Sequence, residues 1–337
     1  MPLAALDIVL LDAHLAIVGP GRWLAVAVAF VLGAVIGSFM NVVVYRVPRG
    51  ESLVHPGSHC PQCDHPIRWY DNVPIVGWLL LGGRCRDCKA RISPRYPLVE
   101  ALVAATSALL AWAALRPAEM LPPPDGTFVF WHEQYAVQSL LMAELVCMAL
   151  IEWDGHVPPS RVWLPVGLLL FVASAVWPDL HSDGLGVAAA APWRGALDAA
   201  MGLAAAALLG AIAWPTWVAS ARRSDILAGV SSVAALCLVG IAFGARDVAV
   251  VAGAAMGCYV ATRLLAHVWR PAGRIGWAAA TSIATLVYIL ARPLSVAPLP
   301  VLRDQPTMTI LLVAGAVLAT ASVARWLGLI SPRTLAP

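Results

Sequence analysis

The sequence predicts an all-α polytopic membrane protein, a bundle of eight or nine transmembrane helices with one long polar loop between spans 1 and 2. Three observations predict it. Hydrophobic residues make up 60% of the 337 and charged residues 12%, with a mean hydropathy of +0.79, whereas soluble domains carry about 25% charged residues. The apolar residues fall in continuous runs near the ~20 residues a bilayer requires, not in the alternating pattern of a transmembrane barrel. Lys and Arg also gather on alternate connections, as orientation in a membrane demands.

Residues 1–22 carry Asp7 and Asp12 and lack a basic start, so they read as an external, interfacial or short re-entrant lead-in and not as a signal peptide. Apolar runs then mark Trp23–Tyr45, Pro97–Leu115, Tyr135–Ile151, Val162–Leu180, Ala196–Ala219, Ile226–Phe243, Val248–Val268, Ile275–Ala291 and Met308–Trp326. The first transmembrane helix is thus 23–45, the polar loop 46–96, the main helical domain 97–327 and the tail 328–337. The loop after span 1 holds Arg46, Arg49, Arg68, Arg84, Arg86, Lys89, Arg91 and Arg95, and Arg222/Arg223, Arg270/Arg274 and Arg325/Arg333 fall in phase with it. The Cys-bearing loop is therefore cytoplasmic, while Arg292 and Arg303 fall out of phase. Many of the tryptophans, Trp23, Trp78, Trp131, Trp153, Trp193, Trp269 and Trp277 among them, stand near span ends as interfacial anchors.

Of the seven cysteines, Cys147, Cys237 and Cys258 lie singly in apolar runs and read as small core residues. Cys60, Cys63, Cys85 and Cys88 form two Cys-x-x-Cys pairs separated by 21 residues. A reducing compartment disfavours disulfides, and a tight turn after each pair places two thiolates on one side of a tetrahedral ion, so the expected ligand is zinc. Four thiolates close the shell, which makes the site structural: it would pin a loop whose own core is too small to fold unaided. His59 and His65 flank the first pair as spare donors.

The stretches GSFMNVVVYRVPRGES (37–52) and HCPQCDHPIRWYDNVPIVGWLLLGGRCRDCKARISPRYPLVEAL (59–102) resemble the N-terminal region of type IV prepilin leader peptidase/N-methyltransferases. The resemblance covers about 65 residues; beyond it the chain matches in span number and placement. It implies a multi-pass enzyme of the bacterial inner membrane, a GxGD-type intramembrane aspartyl peptidase. Such an enzyme cuts the basic leader from pilin-like precursors and methylates the new N-terminus with S-adenosylmethionine. It also implies two aspartates at the cytoplasmic ends of spans, one seven residues before an Ile-Pro-Asp-like stretch and one closing a GxGD motif.

Hydrolysis of this kind needs two carboxylates sharing a proton in a poorly solvated site, one activating water and the other protonating the carbonyl. Glu152 stands seven residues before Pro159, and Asp154 two further on, in ALIEWDGHVPPSRV. A glutamate adds a methylene at a place where a shift of about 1 Å can cost 10²-fold in rate; Asp154 has the right chemistry in a displaced register, next to the turn former Gly155. For the second acid, GARD ends in Asp247 and imitates the motif, but falls on the external side by charge count. Asp225 in ASARRSDIL opens span six on the cytoplasmic side and is preferred, although arginines replace the glycines. Glu100 and Glu144 are intramembrane acids that need a partner or a task, with Arg263 a candidate partner for Glu144.

G-x-G-x-x-G after a strand, a P-loop and H-E-x-x-H are absent, which removes support for dinucleotide, nucleoside-triphosphate and zinc-protease chemistry. A net charge of +3 without a basic, aromatic-interleaved stripe gives no support for nucleic acid. The expected partners are the lipid bilayer and a pilin-like precursor with a basic leader and an apolar N-terminal helix. The degenerate second motif sustains an alternative: a catalytically inactive relative serving as a binding or assembly component of a pilus or secretion system.

Overall fold

The computed structural model describes residues 3–115, 131–177, 192–218, 223–265 and 277–291. The ninth predicted span, Met308–Trp326, and the tail 328–337 lie outside the described residues, as do the side chains of Asp225 and Arg263. The described helices are α1 (Leu3–Arg49), α2 (Val76–Leu80), α3 (Arg95–Ala114), α4 (Trp131–Trp153), α5 (Ser160–Val176), α6 (Pro192–Val218), α7 (Arg223–Phe243), α8 (Ala245–Leu265) and α9 (Trp277–Ala291). A single 3₁₀ turn, Trp69–Asp71, joins them. Among the described residues, extended pairing is confined to isolated bridges in the Cys loop. Gly21–Arg49, Arg95–Ala114 and Gln134–Trp153 are long and apolar enough to cross a membrane, and five shorter apolar helices follow. In the lead-in, α1 is already helical at Leu3 and continues through Gly19-Pro20-Gly21.

The chain divides into two compact units, Met1–Arg46 with Gly50–Leu121, and Val47–Arg49 with Pro122–Pro337. In the first, α1 and α3 run antiparallel, because Gly33 meets Ala104 and Ser107, Gly37 meets Glu100, and the Asn41 amide donates to the Tyr96 carbonyl at 3.2 Å. Gly33 and Gly37, four residues apart, present bare backbone on one helix face, the small-x-x-x-small pattern that lets helices approach closely in lipid. Pro97 sits in the first turn of α3, where its missing N–H would have had no helical acceptor anyway.

The second unit is an up-and-down bundle whose directions follow from a few contacts. Gly202 lies against Gly240 and Gly210 against Val233, so α6 and α7 are antiparallel. Gly167 touches Leu238 while the Ser174 hydroxyl donates to the Ile241 carbonyl at 3.2 Å, so α5 and α7 are parallel. A short connection makes α4 antiparallel to α5, and hence to α7. Tyr259 stacks on Trp277 at 4.4 Å and Phe243 meets Tyr288 edge-on at 5.8 Å, which sets α9 antiparallel to α8 and parallel to α7. One end of the unit therefore collects the C-terminus of α4 and the N-termini of α5, α7 and α9.

Candidate functional site

The Cys loop, in the first unit, consists of two copies of one turn. Cys60 N–H donates to the His65 carbonyl at 2.9 Å and Asp64 N–H to the Cys60 carbonyl at 2.9 Å; in the second copy Cys85 N–H donates to Ala90 at 2.8 Å and Lys89 N–H to Cys85 at 3.1 Å. Bridges His59–Pro66 and Arg84–Arg91 close the two copies at equivalent offsets. The residue after the second cysteine adopts positive φ in both, 59° at Asp64 and 60° at Lys89. An aspartate tolerates that region; a lysine carries its full steric cost.

The four Sγ atoms lie within 4.8 Å of one another, and Cys60 and Cys88 are 3.7 Å apart. A tetrahedral ion with sulfurs at ~2.3 Å spaces them by about 3.8 Å, so the donor set fits such an ion and could hold it. The backbone N–H groups of Gln62 and Cys63 point at the Cys60 sulfur and lower its pKa to about 7. At Cys63 the His65 N–H pulls downward, but desolvation and the adjoining sulfurs outweigh it and raise the value to about 12. A divalent cation removes the repulsion that makes a second thiolate costly.

The rest of the loop braces this cluster. Arg86 grips Asp71 through two bonds of 2.6 and 2.7 Å, and Arg68 meets Asp87 at 3.2 Å. The Arg86 side chain, donating to that carboxylate, holds Asp71 below the ordinary carboxylate range. Trp78 donates its indole N–H to the Ile92 carbonyl at 3.2 Å. Ile75 has φ 63° and ψ −54° while Val76 N–H bonds Pro74 at 2.6 Å, a γ-turn of the rare positive-φ kind. Buried Glu100 accepts the Ile75 N–H at 2.6 Å and so fastens the strained turn to α3. Glu100 was legible as an acid needing a partner; that the partner is a backbone N–H 25 residues upstream was not.

In the second unit, Glu152 lies at the C-terminal end of α4 and is bound at both carboxylate oxygens. The Ser231 hydroxyl of α7 donates to Oε1, and the Ala278 N–H at the start of α9 donates to Oε2 at 3.0 Å. One carboxylate thus joins three helices and caps α9, whose N-terminal N–H groups favour negative charge. Helix α4 ends in a Schellman turn: His156 N–H bonds Ile151 at 3.1 Å, Gly155 N–H bonds Glu152 at 2.9 Å, and Gly155 has φ 76°. Asp154 is the half-buried cap residue of that turn.

Asp225 lies in the first turn of α7, six residues before Ser231, or about 9 Å along the axis. Because α4 and α7 are antiparallel, the chain leaving Glu152 through Asp154 heads toward the end of α7 that carries Asp225. Asp247 opens α8, beyond Phe243 at the other end of α7, roughly 18 Å along the axis from Ser231. The bundle therefore gathers Glu152, Asp154 and Asp225 at one end and sets Asp247 at the other. Glu144 is buried, and its Oε1 has no hydrogen-bond partner among the described residues. Ser231 and the Ala278 N–H were not foreseen, since a lone serine in an apolar run carries no signal.

A class is defined by these features: an all-helical membrane protein whose first two candidate spans flank a four-cysteine cluster that could hold a metal ion. The bacterial Peptidase A24 N-terminal domain matches residues 31–114, which hold those cysteines, the C-terminal part of α1 and the whole of α3. A prepilin leader peptidase/N-methyltransferase of Myxococcus xanthus is 40% identical over 146 residues, 43% of this chain and 39% of the relative. A type 4 prepilin-like proteins leader peptide-processing enzyme of Escherichia coli is 38% identical over 170 residues, 45% of this chain and 54% of the relative. A prepilin leader peptidase/N-methyltransferase of Klebsiella pneumoniae is 37% identical over 168 residues, 48% of this chain and 67% of the relative. The chain belongs to the prepilin leader peptidase/N-methyltransferase family. It spans about half the length of the first curated relatives it matches. No solved structure matches it at a significant level.

Proposed function

We propose that this chain is a membrane aspartyl endopeptidase of the bacterial inner membrane that removes the basic leader of type IV pilin-like precursors at the cytoplasmic face. Support comes from the family and, in the bundle, from one observation: antiparallel α4 and α7 bring Asp154 and Asp225 toward the same end while Asp247 opens the far one. Asp154 and Asp225 form the working pair. One carboxylate takes a proton from water, the water oxygen adds to the scissile carbonyl, and the other carboxyl gives its proton to the carbonyl oxygen; the first then passes the proton it took from water to the leaving amine, while the second recovers one from the gem-diol as the carbonyl re-forms. Glu152, with its oxygens taken by Ser231 and Ala278, is a positioning residue that fixes α4 against α7 and α9.

Zinc, held by Cys60, Cys63, Cys85 and Cys88, is the metal we assign to the knuckle; with a closed four-sulfur shell it supplies folding energy and no open coordination position. N-methylation from S-adenosylmethionine is the second activity, carried by the relatives' names, with no residue of this chain assigned to it.

The test is cleavage of a pilin-like precursor in membranes by the parent and by Glu152→Gln, Asp154→Asn, Asp225→Asn and Asp247→Asn, with mass spectrometry of the product's N-terminus. Asp154→Asn and Asp225→Asn should abolish cutting while leaving thermal stability intact, and Asp247→Asn should cut normally. Glu152→Gln should lower stability, by about 1–2 kcal/mol for a weakened charged hydrogen bond, more than it lowers the rate per folded molecule. Activity lost in Glu152→Gln at unchanged stability would move the dyad to Glu152. A parent that is inert yet retains its metal would transfer the role to binding or assembly.

A further inference from the structure

We infer that the short helix α2 and the adjoining 3₁₀ turn are a membrane-interface foot, by which the Cys loop rests on anionic lipid headgroups beside its own spans. Leu79 and Leu80 are 61% and 79% exposed, Val76 48% and Trp69 82%. A polar loop gains nothing by showing four large apolar side chains to water, and an exposed apolar patch marks a contact surface.

Their depth identifies the occupant. Glu100 accepts the Ile75 N–H directly before α2. Glu100 lies five residues into α3, itself a span-length apolar helix that begins at Arg95. The N-terminus of α2 is thus tied to the first two turns of α3, no more than about 7–8 Å inward from its loop end, within the headgroup and upper acyl region that interfacial helices occupy. Tyr96, Leu98 and Leu102, in the first turns of α3, are exposed as well.

Charge points the same way. Arg84 follows α2 by four residues and stands across a bridge from Arg91. Both are exposed, and so is Lys89. Arg68 and Arg86, by contrast, are matched by Asp87 and Asp71. Apolar side chains beside unmatched cations are the composition of a surface that binds anionic lipid. The strained γ-turn at Ile75 then has a task, since it turns α2 outward where the chain must leave the span level.

The experiment uses the full chain in nanodiscs, with p-benzoylphenylalanine in place of Leu80, Leu98 or Gln62, illumination, and intact mass. Leu98 on the span is the lipid-facing reference and Gln62, exposed within the first knuckle, the aqueous one. A phospholipid adduct at Leu80 comparable with that at Leu98, and none at Gln62, is expected. Replacing Arg84 and Arg91 by Gln should lower the Leu80 yield severalfold in discs containing phosphatidylglycerol, and not in purely zwitterionic ones. Absence of a lipid adduct at Leu80 while Leu98 reacts overturns the inference. An adduct at Leu80 only with an added pilin-like peptide also overturns it, making the patch a peptide-docking face. Should the Leu80 variant lose its metal, Leu79 is the second position. Neither readout uses cleavage, so the peptidase assignment and the foot can fail separately.

Discussion

Replacing Gly33 or Gly37 by Ala sets two effects of known size against each other. Alanine is the better helix former by about 1 kcal/mol, so propensity alone stabilises α1. A Cβ on Gly33, however, would lie 2.8 Å from Ala104 Cα and Ser107 Cβ and 2.9 Å from the Val103 carbonyl; on Gly37 it would lie 2.8 Å from Glu100 Cα. Carbon atoms settle near 3.5–4.0 Å, so the helices must part by roughly 0.7–1 Å, a gap that forfeits a quarter to a half of each contact's attraction. Overpacking of this kind costs about 1–3 kcal/mol. Backbone atoms cannot swing aside, so the cost falls in the upper half of that range, about 2–3 kcal/mol, and the clash wins with a net loss of about 1–2 kcal/mol for either substitution. The double variant should lose less than the sum, because the helices separate only once. Gly21, with nothing within 4 Å of its added Cβ, is the control in which only the propensity gain operates. Thermal unfolding of the full chain in detergent, followed by circular dichroism, should rank Gly21→Ala above the parent and both others below it. Midpoints for Gly33→Ala and Gly37→Ala at or above the parent would refute the close approach of α1 and α3.

Three further outcomes follow from the loop. Purified chain should carry one tightly held divalent ion, and stripping it, or changing Cys60 or Cys85 to Ser, should open residues 59–92 to protease while α1 and α3 stay protected. Lys89→Gly should relieve the positive φ at that position and raise metal retention under chelator, by about 1 kcal/mol, with Asp64→Gly gaining less because aspartate already tolerates that region. Asp71 titrates below its unfolded value because Arg86 binds it, so the pair's contribution is whole above about pH 4 and vanishes as pH falls through the folded value. Amide exchange across the loop should therefore be faster in Asp71→Asn than in the parent at neutral pH, with that difference closing in acid.

The knuckle was the most legible part of the chain because its information is local. Two Cys-x-x-Cys pairs specify a turn, a donor type and a closed shell without any knowledge of the rest of the fold. Span existence was legible for the same reason, through run length. The far contacts were not. Nothing in DNVPIVGW announces that Ile75 takes a positive φ, a conformation a β-branched residue rarely adopts, because the cause is a carboxylate 25 residues away on α3.

The acids show how a motif and a topology can disagree. By local string Asp247 is the better imitation of the second aspartate and Asp225 the poorer. Under the proposed pairing helix direction reverses that order, because two carboxylates share a proton only at one end of the bundle, and direction is set by contacts no string displays: Gly202 on Gly240, Ser174 on Ile241, Phe243 on Tyr288. Charge counting favours the same acid, since Arg222 and Arg223 directly precede Asp225. At the first position the register fell on Glu152, and there the extra methylene has a use. The longer side chain at the end of α4 spans to Ser231 on one neighbour and to the first turn of α9 on another. In the proposed division the glutamate holds the helices, and the half-buried aspartate two residues on, in the turn closed by Gly155, is the carboxyl assigned to the reaction.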